Sequence, residues 1–121
     1  MPLYESVFIV RQDLSKQDVT RLVDSFSTII SQNDGRVVKS EYWGLRNLAY
    51  RINKNKKGHY AMIAADAPAA AIAEMERNMR INEEVMRTLT IRVDEISEQP
   101  SAIISNRGGD ESEESSQDAA A

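Results

Sequence analysis

An α+β fold, with one antiparallel sheet and both helices on one of its faces, follows from three observations on this 121-residue chain. Four segments have the composition of strands and two have the 3.6-residue periodicity of amphipathic helices. They occur in the order βαββαβ. The first and third strands are apolar on both parities, as strands buried on two faces should be, and this marks them as the centre of the sheet.

Tyr4-Glu5-Ser6-Val7-Phe8-Ile9-Val10 is the first strand, short and rich in β-forming residues. Because both of its parities are apolar, either could face the helices. Ser15 opens the first helix, with Asp18 three residues later in a variant of the capping box. Val19, Leu22, Val23, Phe26, Ile29 and Ile30 then follow the i, i+3, i+4, i+7 spacing of one buried stripe. Asp34-Gly35 ends this helix, and Gly35 is expected to take the left-handed conformation that costs it nothing sterically.

The second strand runs from Arg36 to Ile52, a long span interrupted by Gly44, where a glycine marks a bulge or a close backbone approach. Beyond Gly44, Leu48, Tyr50 and Ile52 share one face, while Asn47, Ala49 and Arg51 share the other. Asn53 to Gly58 is expected to be a polar turn with three lysines, and His59 to Ala65 the third strand. Asp66 is expected to cap the second helix, with Pro68 in the first turn, where its missing N–H is harmless. Ile72, Met75 and Met79 form that helix's buried stripe. Asn82 to Glu84 turns the chain into a fourth strand, Val85 to Val93, with Val85, Leu89, Ile91 and Val93 on one parity, a pattern that Arg87 interrupts.

This order is that of the ferredoxin-like split βαβ sandwich. Right-handed crossovers place strands one and three in the centre and two and four at the edges, in agreement with the two doubly apolar segments. One sheet face is left open and partly apolar, beside a long basic edge strand. The folded domain is expected to span residues 1–96, and residues 97–121 to form an acidic disordered tail. From Gly108 onward the tail has no aromatic or β-branched residue and cannot bury enough apolar area to offset its ordering entropy. Ile103 and Ile104 are the tail residues able to dock transiently. Such a tail either solubilises the protein, binds a partner or is modified.

Charge is distributed unevenly. The formal net charge is −4, yet residues 36–60 hold seven basic groups and one acid, Glu41. The basic groups are Arg36, Lys39, Arg46, Arg51, Lys54, Lys56 and Lys57, and Tyr42, Trp43, Tyr50 and Tyr60 lie among them. Residues 1–96 carry fourteen basic groups against thirteen acids, and residues 97–121 one against six, so the acidic balance belongs to the tail. A concentrated cationic island points to a polyanion at one place on the surface. Rings among the cations suit nucleic acid, because they can stack on bases while the cations meet phosphates. A lysine-rich hairpin tip can also be a merely solvated turn, and edge lysines discourage edge-to-edge aggregation.

Other chemistries find little support. There is no cysteine, so disulfides and thiolate metal sites are excluded and a reducing compartment is the natural setting. His59 is the single histidine and reads as structural or solvent-facing. Glu83-Glu84 and Asp94-Glu95 read as solvated turn and strand-end residues, and no glycine-rich phosphate loop occurs. No cofactor, metal or small-molecule substrate is expected. Met1 to Glu5 lacks the character of a signal peptide, and no apolar run is long enough to span a bilayer, so the expected setting is cytoplasmic and soluble, without membrane association.

Lys57-Gly58-His59-Tyr60-Ala61-Met62-Ile63-Ala64 partly resembles the RNP1 motif of RRM domains, which share the βαββαβ order. The Lys-Gly opening fits, but His59, Ala61 and Ala64 stand where stacking aromatics belong. A far more specific resemblance lies in Gly44-Leu45-Arg46-Asn47-Leu48-Ala49-Tyr50-Arg51-Ile52. It is similar to the G-x-[KR]-x-L-A-Y-x-I signature of the bacterial small-subunit ribosomal protein S-six family. Tyr4-Glu5, Trp43-Gly44, Gly58-His59-Tyr60 and Arg80-Ile81-Asn82-Glu83-Glu84-Val85-Met86-Arg87 fit the same family in order and spacing, over about residues 1–96. Arg51 departs from the proline common after Ala-Tyr, restoring a backbone donor and adding a cation.

The resemblance implies a ferredoxin-like, non-enzymatic, ribosome-associated protein. It implies binding to the central domain of small-subunit ribosomal RNA together with ribosomal protein S-eighteen. On that reading Arg46, Lys54, Lys56 and Lys57 meet phosphates, with Arg80 and Arg87 adding contacts at the start of the fourth strand. Trp43, Leu48 and Tyr50, on the second strand and its open face, hold the protein partner. The alternatives are a small ferredoxin-like dimeric enzyme or ligand sensor, and an RRM-like binder of single-stranded RNA.

Overall fold

The computed structural model describes residues 1–52 and 55–97, with side chains at all of these except 49–52 and 55. The elements are β1 (Leu3–Arg11), α1 (Lys16–Gln32), β2 (Arg36–Ile52), β3 (Asn55–Asp66), α2 (Ala69–Ile81) and β4 (Val85–Val93). The four strands form one sheet in the order β2-β3-β1-β4, and every neighbouring pair is antiparallel. This is the ferredoxin-like sandwich the element order predicts, with β1 and β3 central.

Alternation along β1 settles which parity meets the helices. Ser6, Phe8 and Val10 are buried on the helix side, and Val7 packs into a separate cluster on the open face. From β3, Ala61, Ile63 and Ala65 join Phe8 and Val10 in the helix-side core, which α1 fills with Val19, Val23, Phe26 and Ile30. The small β3 alanines let the two aromatic rings occupy the middle. Phe8 and Phe26 meet edge to face at 5.4 Å and 85°, the arrangement favoured by opposed ring quadrupoles. α2 contributes Ala71, Ile72, Met75 and Met79, so the stripe read from sequence is the buried one.

Ser15 and Asp18 close the capping box as expected. The Ser15 hydroxyl accepts from the Asp18 N–H at 3.1 Å, and the Asp18 carboxylate accepts from the Ser15 N–H at 3.2 Å. Gly44 also behaves as expected. It has φ 101° and sits at a register shift in the β2–β3 ladder, between the Tyr42↔Ala61 and Gly44↔Tyr60 pairs.

Four local expectations are corrected. At the end of α1 the left-handed residue is Asp34, at φ 68°, and not Gly35. Gly35 is required by close packing instead, since a Cβ there would lie 2.5 Å from Ala67 Cβ and 2.8 Å from Ile30 Cγ2. Asp66 does not cap α2; it ends β3 and faces the Arg36 guanidinium at 3.5 Å, while Pro68 is the N-cap without any side-chain bond. An ion pair with the edge strand and the ladder partner Leu3 hold Asp66 in the sheet, two residues short of the cap position. The hairpin is tighter than the six-residue polar turn expected, because β3 begins at Asn55, paired with Ile52, so Lys56 and Lys57 are strand residues.

The fourth correction concerns β4. Its pairing with β1 shifts between Ile9↔Arg87 and Val10↔Val85, which leaves Met86 as the extra residue and turns Val85 into the helix-side core. Thr88 and Thr90 occupy the inward positions: Thr90 Oγ1 donates to Ser6 Oγ at 2.9 Å, and Thr88 Oγ1 lies 3.3 Å from Met79 Sδ. Leu89 and Ile91, 66% and 50% exposed, therefore stand on the open face.

Candidate nucleic-acid interface

Strand register builds the site. β1 pairs with β3 only as far as Arg11↔Gly58, whereas β2 and β3 continue to pair through Asn47↔Lys57 to Ile52↔Asn55. The last turn of the β2–β3 hairpin is thus a two-stranded ribbon that projects past the four-stranded sheet. Lys56 and Lys57 lie on this ribbon, both exposed, and alternation sends them to opposite faces. Neither has an acidic partner among the described residues. The ribbon is anchored at its base by Gln12, whose side-chain oxygen accepts from the Lys57 N–H at 2.9 Å.

The same end of the sheet collects cations from other elements. Arg46 lies opposite Gly58, and Arg87 opposite Ile9. Exposed Arg80 lies in the last turn of α2, just before the turn into β4, where the Arg11 N–H donates to Glu84 O at 2.9 Å. Arg80 there also meets the negative end of the helix dipole. Arg11 itself pairs with Asp13 at 2.7 Å.

The other described cations of the island, Arg36, Lys39 and Arg46, are engaged internally. Arg36 pairs with Asp66, and Lys39 lies 3.3 Å from Glu41, whose carboxylate also accepts the Trp43 indole N–H at 2.7 Å. Arg46 donates Nε–H to the Trp43 carbonyl at 3.0 Å, which fixes the guanidinium against the bulge. The five basic residues with described side chains therefore resolve into Arg36, Lys39 and Arg46, bonded to groups within the fold, and Lys56 and Lys57, exposed on the ribbon. Lys54 and the side chains of Tyr50 and Arg51 lie outside the described residues.

His59 is structural. At 5% exposure it bridges three segments, with Nε2 2.6 Å from Leu14 O and Nδ1 2.8 Å from the Tyr42 hydroxyl. A carbonyl oxygen can only accept, so Nε2 carries a proton; in the neutral ring Nδ1 then accepts from the Tyr42 hydroxyl. Lys16 sits 5.3 Å over the Tyr42 ring, adding a cation–π contact to the same junction. His59 and Ala61 lie on the helix side, so these RNP1-like positions offer no stacking surface.

Trp43, Met62 and Ala64 form the buried cluster of the open face, and Val7, Tyr60 and Ile96 pack against it. Trp43 is 9% exposed and Leu48 is half-buried. Gln12 and Ile96 are the residues that sequence reading missed. The signal for Ile96, one apolar residue among Asp94, Glu95 and Ser97, is visible in the chain, but its landing place is not.

Fold and charge together define a ferredoxin-like α+β sandwich with a cationic hairpin ribbon at one end. The family model described as ribosomal protein S6 matches residues 3–92, from the start of β1 nearly to the end of β4. The small ribosomal subunit protein bS6 of Paramagnetospirillum magneticum is 57% identical over 111 residues, covering 92% of this chain and 77% of that protein. Its counterpart in Paracoccus denitrificans is 56% identical over 107 residues, covering 88% and 82%. The crystal structure of the 30S ribosomal protein S6 of Thermotoga maritima matches with a TM-score of 0.71 at 30% identity, covering 76% of this chain and 87% of that one. The chain belongs to the ribosomal protein S6 family.

Proposed function

We propose that this protein is a structural, non-enzymatic component of the bacterial small ribosomal subunit. It binds the central domain of small-subunit ribosomal RNA together with ribosomal protein S-eighteen, as a ribosome-associated protein of the cytoplasm. Family membership supports the ribosomal role, and one observation carries the RNA-binding part. The two-stranded ribbon holds Lys56 and Lys57 exposed and without acidic partners among the described residues, beyond the edge of the folded sheet. Arg46 at its base, Arg80 and Arg87 beside it, and Lys54, which lies outside the described residues, complete the phosphate-facing set. Trp43, Leu48 and Tyr50 serve the protein partner, with Trp43 shaping the open face from within its cluster. Residues 1–96 act as the RNA-binding domain and residues 97–121 as its acidic tail.

Co-sedimentation with 30S particles at moderate salt tests the ribosomal placement; a homodimer free of RNA in a native lysate would contradict it. Neutralising about four phosphates gives a slope of log affinity on log salt of roughly −3 to −4. Changing Lys54, Lys56 and Lys57 together to Ala should weaken RNA binding and flatten that slope by about 3, on the same relation. Undiminished binding in this variant would overturn the assignment of the ribbon.

A further inference from the structure

The path of the chain after β4 has a direction. Val93 pairs with Leu3 at the end of the sheet remote from the ribbon. Three residues on, Ile96 packs against the cluster formed by Trp43, Met62 and Ala64, so the chain has passed from the β4 edge onto the open face. These positions step toward the ribbon: Ala64 pairs with Glu5, Met62 with Val7, and Tyr60 with Ile9. Between Val93 and Ile96 the chain therefore moves from the Asp66 end of the sheet onto the middle of the open face, nearer to the ribbon.

We propose that the C-terminal segment from Ile96 onward is the intramolecular occupant of the open sheet face. Its acidic stretch, Asp110, Glu111, Glu113 and Glu114, seats on the cationic ribbon and competes there with a polyanion. Docking rests on the seat of Ile96 and on charge; the competition rests in addition on the RNA-binding reading above.

Reach and composition agree with this path. From Met62 to Lys56 is six residues of β3, about 20 Å at 3.3 Å per residue. From Ile96 to Asp110 is fourteen residues, about 46 Å when extended, more than twice the span required. Ile103 and Ile104 fall between the seat and the acids, and Leu89 and Ile91 are exposed apolar residues on the same face. Residues 97–121 carry six acids against Arg107, opposite in sign to a ribbon whose described lysines have no acidic partner among the described residues.

Because the chain has no cysteine, Ser112→Cys gives a single spin-label site in the full-length protein. At about 0.05 M salt, where the screening length exceeds 10 Å, the label should broaden the amide signals of Lys56 and Lys57 but not those of Asp24 and Thr28 on α1. The selectivity should vanish at about 1 M salt, where that length is about 3 Å. It should also vanish when Asp110→Asn, Glu111→Gln, Glu113→Gln and Glu114→Gln are combined. No selective broadening at low salt overturns the docking, and so does broadening seen only between labelled and unlabelled chains, which would make the occupant a second copy. A synthetic 20-base-pair RNA duplex tests the competition. The four-substitution variant should bind it on the order of 3- to 10-fold more tightly than the unsubstituted chain at low salt, the scale expected for a tethered competitor at millimolar effective concentration. The difference should narrow as salt rises. Selective broadening with equal affinities overturns the competition alone. Selective broadening with no RNA binding by either chain supports the docking while contradicting the RNA-binding reading.

Discussion

The two faces of the sheet are built on different physical terms. The helix side is a continuous core in which both helices close over Phe8, Val10, Ala61 and Ile63, all at most 1% exposed. Among the described residues the open side has a buried cluster of three, Trp43, Met62 and Ala64, roofed in part by Ile96 and flanked by exposed Leu89 and Ile91. A face covered by two helices can be saturated with apolar contacts. The open face, the one proposed to receive partners, keeps a small cluster, a polar lock on its tryptophan, and cations at one end. The difference assigns most of the stability to the first face and, on the proposed function, leaves recognition to the second.

Truncating the centre of the helix side should have the largest effect. Phe8→Ala removes a fully buried ring and its edge-to-face contact with Phe26, and should cost about 3–5 kcal/mol in urea unfolding. The matching test on the other side is Met62→Ala. Its surroundings can collapse or admit water, so the cost should be near the low end for such truncations, about 2 kcal/mol. Equal losses from the two variants would remove the distinction between the faces.

Ser15→Ala should cost about 1 kcal/mol by opening the capping box, in the same unfolding assay. The smallest effect is a pH dependence at this cap. The backbone N–H of Ser15 first, then the Ser15 side chain and the Arg21 guanidinium, hold the Asp18 carboxyl below its ordinary 3.8. A carboxyl whose value is lowered by folding stabilises above its unfolded value, and this is lost as the pH falls through the folded value. The contribution of Asp18 should thus be complete above about pH 4 and fade only below it. Asp18→Asn should flatten that part of the stability profile; an unchanged profile below pH 4 would discount the cap's charge.

Much of the fold was legible because its signals are local or periodic. The capping box, the α1 and α2 stripes and the bulge at Gly44 each depend on residues within a turn or two of one another. The misplaced features depend on distant neighbours. Gly35 is a glycine because Ala67 and Ile30 close on it, whereas its sequence context pointed to a left-handed turn. Asp66 looks like a helix cap until Arg36 and Leu3 hold it in the sheet. Val85 shares a parity with Leu89 in the sequence and loses it to a one-residue bulge against β1. The candidate interface was legible as a charge density, but not as a division between paired and outward-facing cations.

By itself, then, the sequence determined the element order, the central position of β1 and β3, the stripes that form the core, and the concentration of cations between Arg36 and Tyr60. These follow from periodicity and composition, which act over a few residues. Only the tertiary structure decided which face of β1 meets the helices, how far the ribbon extends past the sheet, and which cations are neutralised by Asp66 and Glu41. It also decided that the chain beyond β4 turns back across the open face through Ile96. Those outcomes depend on strand register and on contacts between residues far apart in sequence, and a shift of one residue in register exchanges the two faces of a strand.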